Sequence, residues 1–196
     1  SALVSAGSDV VYSSLWGGDL QAFVLQSVPR GLAKRSQFVF SAADHVLPPL
    51  GDKMPDGVII GARGAYGLMS PKTPLNEWFF SGYEKANGVY PVQAAYRNAV
   101  EKAMEKNGGK KPSTDELIAA MTGSEWQSPG GLIQMKNGDG HQAIQPIAFS
   151  RTKYNAEKKR VDLVDIVNFE AECVTPPPGV KAIDWIKGGM KNDKCK

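Results

Sequence analysis

A run of hydroxyl, aromatic and carboxylate side chains occupies residues 13–19, Ser-Ser-Leu-Trp-Gly-Gly-Asp, between a short β-rich segment and a helical pattern. Ser13 and Ser14 offer short hydroxyls, and Trp16 offers a flat face for an apolar group or a cation. Asp19 could cap the helix or pair with an ammonium group. Because helix N-termini favour anions, this segment predicts noncovalent binding of a small polar or anionic ligand. A core position for Trp16 stays open.

A second polar segment, Ser41-Ala42-Ala43-Asp44, follows the predicted strand Gln37–Phe40. In open α/β sheets ligands bind outside the carboxyl ends of the strands, so this segment predicts a neighbouring part of the same site. Asp44 could face an amino group of the ligand, or it could be an exposed loop carboxylate. His45 is expected to be a surface or rim histidine and not a catalytic partner of Asp44, because adjacent residues in a loop rarely point at one another.

The sequence has none of the arrangements that carry covalent or metal-dependent catalysis. Its two histidines, His45 and His141, lie far apart in the chain, and neither cysteine has a histidine nearby. No nucleophile elbow and no P-loop occur. The segment 61–67 has the wrong spacing for a dinucleotide turn. We therefore expect no enzyme activity, no metal and no cofactor.

The net charge and the length of the apolar runs limit the kinds of partner that the chain could have. A formal net charge of +3, from 23 basic and 20 acidic residues, gives no reason to expect nucleic acid as a partner. The longest apolar runs, such as Gly57–Ala62, are too short to span a bilayer. The given sequence opens with neither an initiator methionine nor a signal peptide, and residues 1–8 resemble the last turn of a helix. The chain is expected to begin inside a longer protein.

The two cysteines, Cys173 and Cys195, lie in the last quarter of the chain near a proline-rich turn. A disulfide between them would close a loop of about 20 residues, contribute about 3 kcal/mol, and suit an oxidising compartment. Two independent thiols in a loosely ordered tail are the alternative.

The elements that must position these side chains begin with the strands Asp9–Leu15, Gln37–Phe40 and Gly57–Ala62. A helix with Leu20, Phe23, Val24 and Val28 on one face follows the first strand, and a short helix through Leu47–Met54 follows the second. This order of strands and helices predicts a parallel, doubly wound α/β sheet.

Helices and then short strands follow Arg63. The predicted helices are Leu75–Ala86, Pro91–Lys106 and Ser113–Met121, the last with a capping box between Ser113 and Glu116. The predicted strands are Gly131–Met135, Ile144–Ser150 and Val161–Phe169. The chain contains no flexible linker, which predicts that it passes between two lobes near Arg63 and again near Gln142–Gln145.

Several segments together resemble the type I periplasmic solute-binding proteins of the branched-chain amino acid and amide-binding class. They are Asp-Val-Val-Tyr-Ser-Ser-Leu-Trp-Gly-Gly-Asp-Leu-Gln-Ala-Phe at 9–23, Pro-Asp-Gly-Val-Ile-Ile-Gly-Ala-Arg-Gly at 55–64, the Tyr-Pro-x4-Tyr helix from Tyr90, and the hairpin Ser-Pro-Gly-Gly-Leu-Ile-Gln-Met with its Asn-Gly-Asp-Gly-His turn. The resemblance covers nearly the whole chain and rests on the order and spacing of these segments.

This resemblance implies a fold of two doubly wound α/β lobes with hinge crossovers, of which the chain holds only part. Residues 1–62 would belong to the second lobe, and 63–143 would be the mainly helical return segment of the first. Residues 144–196 would supply the cross-back strands and the C-terminal tail of the second lobe. The N-terminal half of the protein would complete both lobes.

The implied function is that of the extracytoplasmic component of an ABC transporter, which captures a small amino acid, amide or carboxylate between two closing lobes. Its partners would be the solute, the membrane permease, and the N-terminal half of its own chain. A ligand-sensing domain of a receptor or regulator with the same fold is the alternative.

The resemblance also carries site residues over to this sequence. It implies Trp16 as an aromatic contact and Tyr90 as a contact from the first lobe. Together with Ser13, Ser14, Ser41 and Asp44, which follow the predicted strands, these are the candidate ligand-binding residues. The acidic contact expected in the family falls near Ala42, and Asp44 comes two residues later. The sequence departs from the pattern of an α-amino acid binder at this point.

Overall fold

The computed structural model describes residues 2–62, 64, 69–86, 100–137, 142–192 and 195. Its α-helices with both ends in the described residues are α1 (Ala2–Ala6), α2 (Gly17–Ser27), α3 (Leu47–Leu50), α4 (Pro74–Ala86), α5 (Thr114–Met121) and α6 (Ala182–Lys187). Its strands are β1 (Val10–Ser13), β2 (Gln37–Phe40), β3 (Ile59–Gly61), β4 (Glu125–Ser128), β5 (Gly131–Asn137), β6 (Gln142–Ile144), β7 (Ile147–Asn155) and β8 (Arg160–Phe169). Short 3-10 helices cover Leu32–Lys34, Asp44–Val46, Gly51–Lys53 and Ala171–Cys173.

The chain forms two compact units, each made of two separate segments. The first unit contains residues 1–69 and 147–168, and the second contains residues 70–146 and 169–196. The sequence predicted boundaries after residues 62 and 143, a few residues earlier, and it predicted the tail with the second lobe. In the structure, residues 169–196 form one compact unit with residues 70–146. That these units are parts of the two lobes stays a prediction.

The first unit is built on a five-stranded sheet in the order β1-β2-β3-β7-β8. β1, β2 and β3 run parallel, as their alternation with helices predicted, and β7 pairs antiparallel with β3. The carboxyl ends of β1, β2 and β3 therefore lie at one edge of the sheet. Among the described strands β1 and β8 lie at the two ends of this order, and the Val10 and Tyr12 side chains of β1 are exposed.

The core of this unit packs α2 against the sheet. Leu20 and Val24 on the predicted apolar face of α2 are fully buried, and so is Phe40 on β2. The ring of Phe23 meets the rings of Phe38 and Phe40 at centroid distances of 5.6 and 6.1 Å. Each such buried side chain contributes roughly 1.5–3 kcal/mol, so the helix that follows β1 is held firmly in place.

A buried hydroxyl fixes β7 to the segment before β3. Thr152 donates its Oγ1 hydrogen to the carbonyl of Pro55 at 2.6 Å and accepts from the N–H of Val58 at 3.0 Å. The backbone N–H of Thr152 also donates to the carbonyl of Val58 at 3.0 Å. These bonds satisfy polar groups that would be costly to bury unpaired, and they set the position of β3 relative to β7.

The second unit contains α4, α5 and an antiparallel sheet in the order β4-β5-β6. The capping box predicted for α5 is present: Ser113 accepts from the N–H of Glu116, and the Glu116 carboxylate accepts from the N–H of Ser113. Of the predicted helix Pro91–Lys106, residues 100–106 are helical and residues 91–99 lie outside the described residues. Asn76 ties α4 to the β4–β5 turn through a 2.9 Å bond to the carbonyl of Pro129.

Two strand predictions were incomplete. The sequence predicted one strand over Ile144–Ser150, but β6 ends at Ile144 and β7 begins at Ile147. The break falls at Pro146, which has no N–H for a ladder bond, and the chain passes there from the second unit to the first. β4 was not predicted, because its four residues, Glu-Trp-Gln-Ser, show little apolar content.

A disulfide and two polar contacts fasten the tail within the second unit. Cys173 and Cys195 are bonded, with their Cα atoms 5.5 Å apart. Asn192 donates to the carbonyl of Glu172 at 2.7 Å, and the Glu172 carboxylate pairs with Lys136 on β5 at 2.7 Å. The disulfide and the Asn192–Glu172 bond therefore connect parts of the tail to each other, and the Glu172–Lys136 pair connects the tail to the three-stranded sheet.

Candidate functional site

The loops after β1 and β2 meet at one end of the five-stranded sheet, and we call residues 13–17 together with 41–45 the carboxyl edge. The N–H of Ser41 donates to the carbonyl of Ser13 at 3.1 Å. The N–H of Ala43 donates to the carbonyl of Gly61, the last residue of β3, at 3.2 Å. Backbone hydrogen bonds thus connect the ends of three neighbouring strands.

Three of the predicted site residues, Ser13, Ser14 and Trp16, lie in the first of these loops or at its start, and Asp19 follows in α2. Ser13 ends β1, and its Oγ accepts from the N–H of Leu15 at 3.1 Å. Ser14 is exposed. Trp16 is 59% exposed, which excludes the core position that the sequence left open. Asp19 does not cap α2: the cap residue is Trp16, and Asp19 lies within the first turn.

The second loop contributes Ser41, Asp44 and a residue that the sequence did not assign to the site. Ser41 is half-buried, and Asp44 begins a 3-10 helix with its side chain 24% exposed. His45 follows, with its side chain 30% exposed. Its Nδ1 atom lies 3.8 Å from Oδ1 of Asp44, so these neighbours approach each other, contrary to expectation, at a separation too long for a hydrogen bond.

His45 links the two loops. The N–H of Gly17 donates to its Nε2 atom at 2.9 Å, and its ring lies 4.9 Å from that of Trp16, centroid to centroid, at an interplanar angle of 35°. Nε2 is thus the acceptor atom of the imidazole in this contact. Sequence reasoning missed this role; the only available signal was the position of His45 just beyond the carboxyl end of a strand.

Gly61 is a further position that sequence reasoning missed. A Cβ atom at Gly61 would come within 2.8 Å of Cε1 of Phe149 and within 2.8 Å of the carbonyl oxygen of Ser41. Only glycine permits such a close approach of β3 to the loop after β2. Gly61 therefore allows β3 to pack closely against the loop that follows β2.

The remaining predicted ligand residue, Tyr90, lies outside the described residues, as does His141. Within the part of the chain that the structure describes, no group of three or more histidine, cysteine, aspartate or glutamate side chains could hold a metal ion. Of the helices that these residues form, none has the length and apolar character needed to cross a membrane. The carboxyl edge offers hydroxyls, an aromatic face and a helix N-terminus, which suit reversible binding.

Known structures share this architecture. A solute-binding protein of an ABC transporter from Rhodopseudomonas palustris HaA2, in complex with p-hydroxybenzoic acid, superimposes with a TM-score of 0.67 at 21% identity. A solute-binding protein from R. palustris BisB5, in complex with 3,4-dihydroxybenzoic acid, gives 0.61 at 24% identity. Each comparison covers 87% of this chain and 47% of the other chain, so this chain spans about half the length of these relatives.

A leucine-binding protein from Thermotoga maritima MSB8 also matches, with a TM-score of 0.59 and 16% identity over 85% of this chain and 47% of its own. No curated protein matches the sequence. The family model described as periplasmic binding protein matches residues 1–159. The chain therefore belongs to the periplasmic binding protein family and has part of the type I fold of ABC-transporter solute-binding proteins.

Proposed function

We propose that the full natural chain captures a small organic solute outside the cytoplasmic membrane and delivers it to the permease of an ABC transporter. Family membership and the fold shared with solute-binding proteins of ABC transporters support this proposal. The carboxyl edge would act by binding as the two lobes close, with no bond made or broken in the solute.

The observation that carries the proposal is the placement of Trp16. This large aromatic side chain is 59% exposed, yet it packs against the ring of His45 at the carboxyl ends of parallel strands. Ligands of open α/β sheets bind at such an edge, and an exposed tryptophan face is well suited to cover the ring or apolar part of a ligand. α2 begins next to this face and favours an anionic group.

The same edge favours an aromatic or other amphiphilic carboxylate over an α-amino acid. An α-amino acid needs an acidic partner for its ammonium group, and the position expected for that partner holds Ala42. Asp44, the nearest alternative, has its carboxylate 3.8 Å from Nδ1 of His45. The hydroxybenzoic acids bound by the two R. palustris proteins are solutes of the proposed kind.

The disulfide supports the proposed location. A bond between Cys173 and Cys195 is typical of proteins that fold in oxidising compartments, among them the periplasm. Location outside the cytoplasm would also place the protein where a solute must be captured before import.

Calorimetric titration of the full natural chain with p-hydroxybenzoate, benzoate and leucine tests the proposal. We expect an aromatic carboxylate to bind, and Trp16→Ala to weaken its binding by about tenfold or more, because a stacked aromatic contact and its buried area are lost. Trp78→Ala is the matched control, since Trp78 is 67% exposed on α4 of the other unit.

Two results would overturn the proposal. Absence of binding with all three solutes would contradict the solute class. An unchanged affinity in Trp16→Ala would exclude Trp16 from the site.

A further inference from the structure

We infer that His45 is a positioning residue that holds Trp16 and the start of α2 in a binding-competent arrangement, an inference that rests on the proposed function of Trp16. The side chain of His45 makes two contacts with the loop after β1, although it belongs to the loop after β2. Both contacts end on residues that flank the proposed ligand face, Trp16 and Gly17.

The first contact caps α2. The N–H groups of the first turn of a helix have no partner within the helix, and a side chain of the cap residue usually satisfies one of them. Here the cap residue is Trp16, which makes no such bond. Nε2 of His45, 28 positions further along the chain, accepts from the N–H of Gly17 instead. The helix start is thus fixed from the neighbouring loop.

The second contact orients the tryptophan. With 59% of its surface exposed, Trp16 is not held by burial in a core. The imidazole of His45 packs against one part of the indole at 4.9 Å between centroids and leaves much of the indole open to solvent. An exposed side chain held in one orientation loses less entropy when it binds a ligand, so His45 would raise affinity without touching the solute.

Two substitutions separate these contacts. His45→Phe keeps a ring beside Trp16 but removes the acceptor for Gly17, and His45→Gln keeps an acceptor near the Nε2 position but removes the ring. Asp52→Asn, on the exposed 3-10 helix that follows α3, is the control. All variants would be made in the full natural chain, and circular dichroism would show that they fold.

Two readouts report on the loop without any ligand. The hydrogen-exchange rate of the Gly17 amide, measured by NMR, should rise about fivefold in His45→Phe, the change expected for loss of a helix cap, and stay near wild type in His45→Gln. Fluorine NMR of protein labelled with fluorotryptophan follows Trp16, whose signal is assigned with Trp16→Phe. That signal should shift in His45→Gln and stay close to wild type in His45→Phe.

The third readout is affinity for p-hydroxybenzoate. We expect roughly threefold to tenfold weaker binding in each His45 variant and no change in Asp52→Asn. Unchanged Gly17 exchange together with an unchanged Trp16 signal in both variants would overturn the inference, even if the wild-type protein binds the solute. If the loop readouts respond but no tested solute binds, the proposed function fails and the positioning of the loop by His45 stands.

Discussion

At the residue scale, the backbone of Gly17 limits what can replace it. Gly17 begins α2 with a φ of 58°, in the left-handed region that favours glycine, and a Cβ atom there would meet no neighbouring atom within 4 Å. We predict that Gly17→Ala lowers the free energy of unfolding by about 1–2 kcal/mol, because the backbone conformation alone is penalised. Urea denaturation followed by circular dichroism measures this change.

The next residue supplies the control. Gly18 lies in the same helical turn and also has open space around its Cβ position, but its φ is not in the left-handed region. Gly18→Ala should therefore keep or slightly raise stability, by at most about 1 kcal/mol. If Gly18→Ala lowers the free energy of unfolding as much as Gly17→Ala does, the positive φ of Gly17 is not the cause of the lost stability.

Which residues lie at the carboxyl edge could be predicted from the sequence, but which contacts they make there could not. Ser13, Trp16, Ser41 and Asp44 could be grouped in advance, because carboxyl ends of parallel strands share one edge of a sheet. The hydrogen bond from Gly17 to His45 could not be predicted, since it joins positions 28 apart and depends on the exact path of two loops. Whether the grouped residues contact a solute stays a prediction.

At the scale of elements, the capping box of α5 links stability to pH. Hydrogen bonds from Ser113, first from its backbone N–H and then from its hydroxyl, hold the pKa of the Glu116 carboxyl below its usual value. A lowered pKa in the folded state means that the stabilisation is complete above the usual glutamate pKa and is lost as the pH falls through the lowered value.

We therefore predict that the second unit loses stability in this acidic range and that Glu116→Gln removes part of this dependence. The measurement is the unfolding midpoint in urea at a series of pH values. Asp115→Asn is the control, because it removes a charge from the same turn but no hydrogen bond of the capping box. An identical pH profile for wild type and Glu116→Gln would contradict the prediction.

Elements that depend on nearby residues in the sequence could be predicted, whereas elements that depend on which distant strand they pair with could not. The capping box could be predicted because Ser113 and Glu116 are only three positions apart. The predicted strand Ile144–Ser150 joined the last residue of β6 to the first part of β7, although the two strands belong to different sheets. The proline at position 146 was the one local sign of the break.

At the scale of the whole molecule, the disulfide fixes the tail of the second unit. It joins positions 22 apart, and closing a loop of this length contributes about 3 kcal/mol. We predict that the double variant Cys173→Ser with Cys195→Ser unfolds at a lower urea concentration than wild type. Reduction of the wild-type protein should give the same shift, and a thiol-reactive dye should detect no free thiol in the unreduced protein.

Two results would count against this prediction. Free thiols in the unreduced protein would show that the bond does not form. An unchanged unfolding midpoint after reduction would show that the tail is held by its other contacts, such as that between Asn192 and Glu172.

The pairing of β3 with β7 also makes folding of the first unit depend on segments that are far apart in the sequence. Ile59 pairs with Arg151, so β3 lacks this partner until both segments are present in the compartment where the chain folds. Until then one edge of β3 stays open, and an open strand edge can pair with another chain.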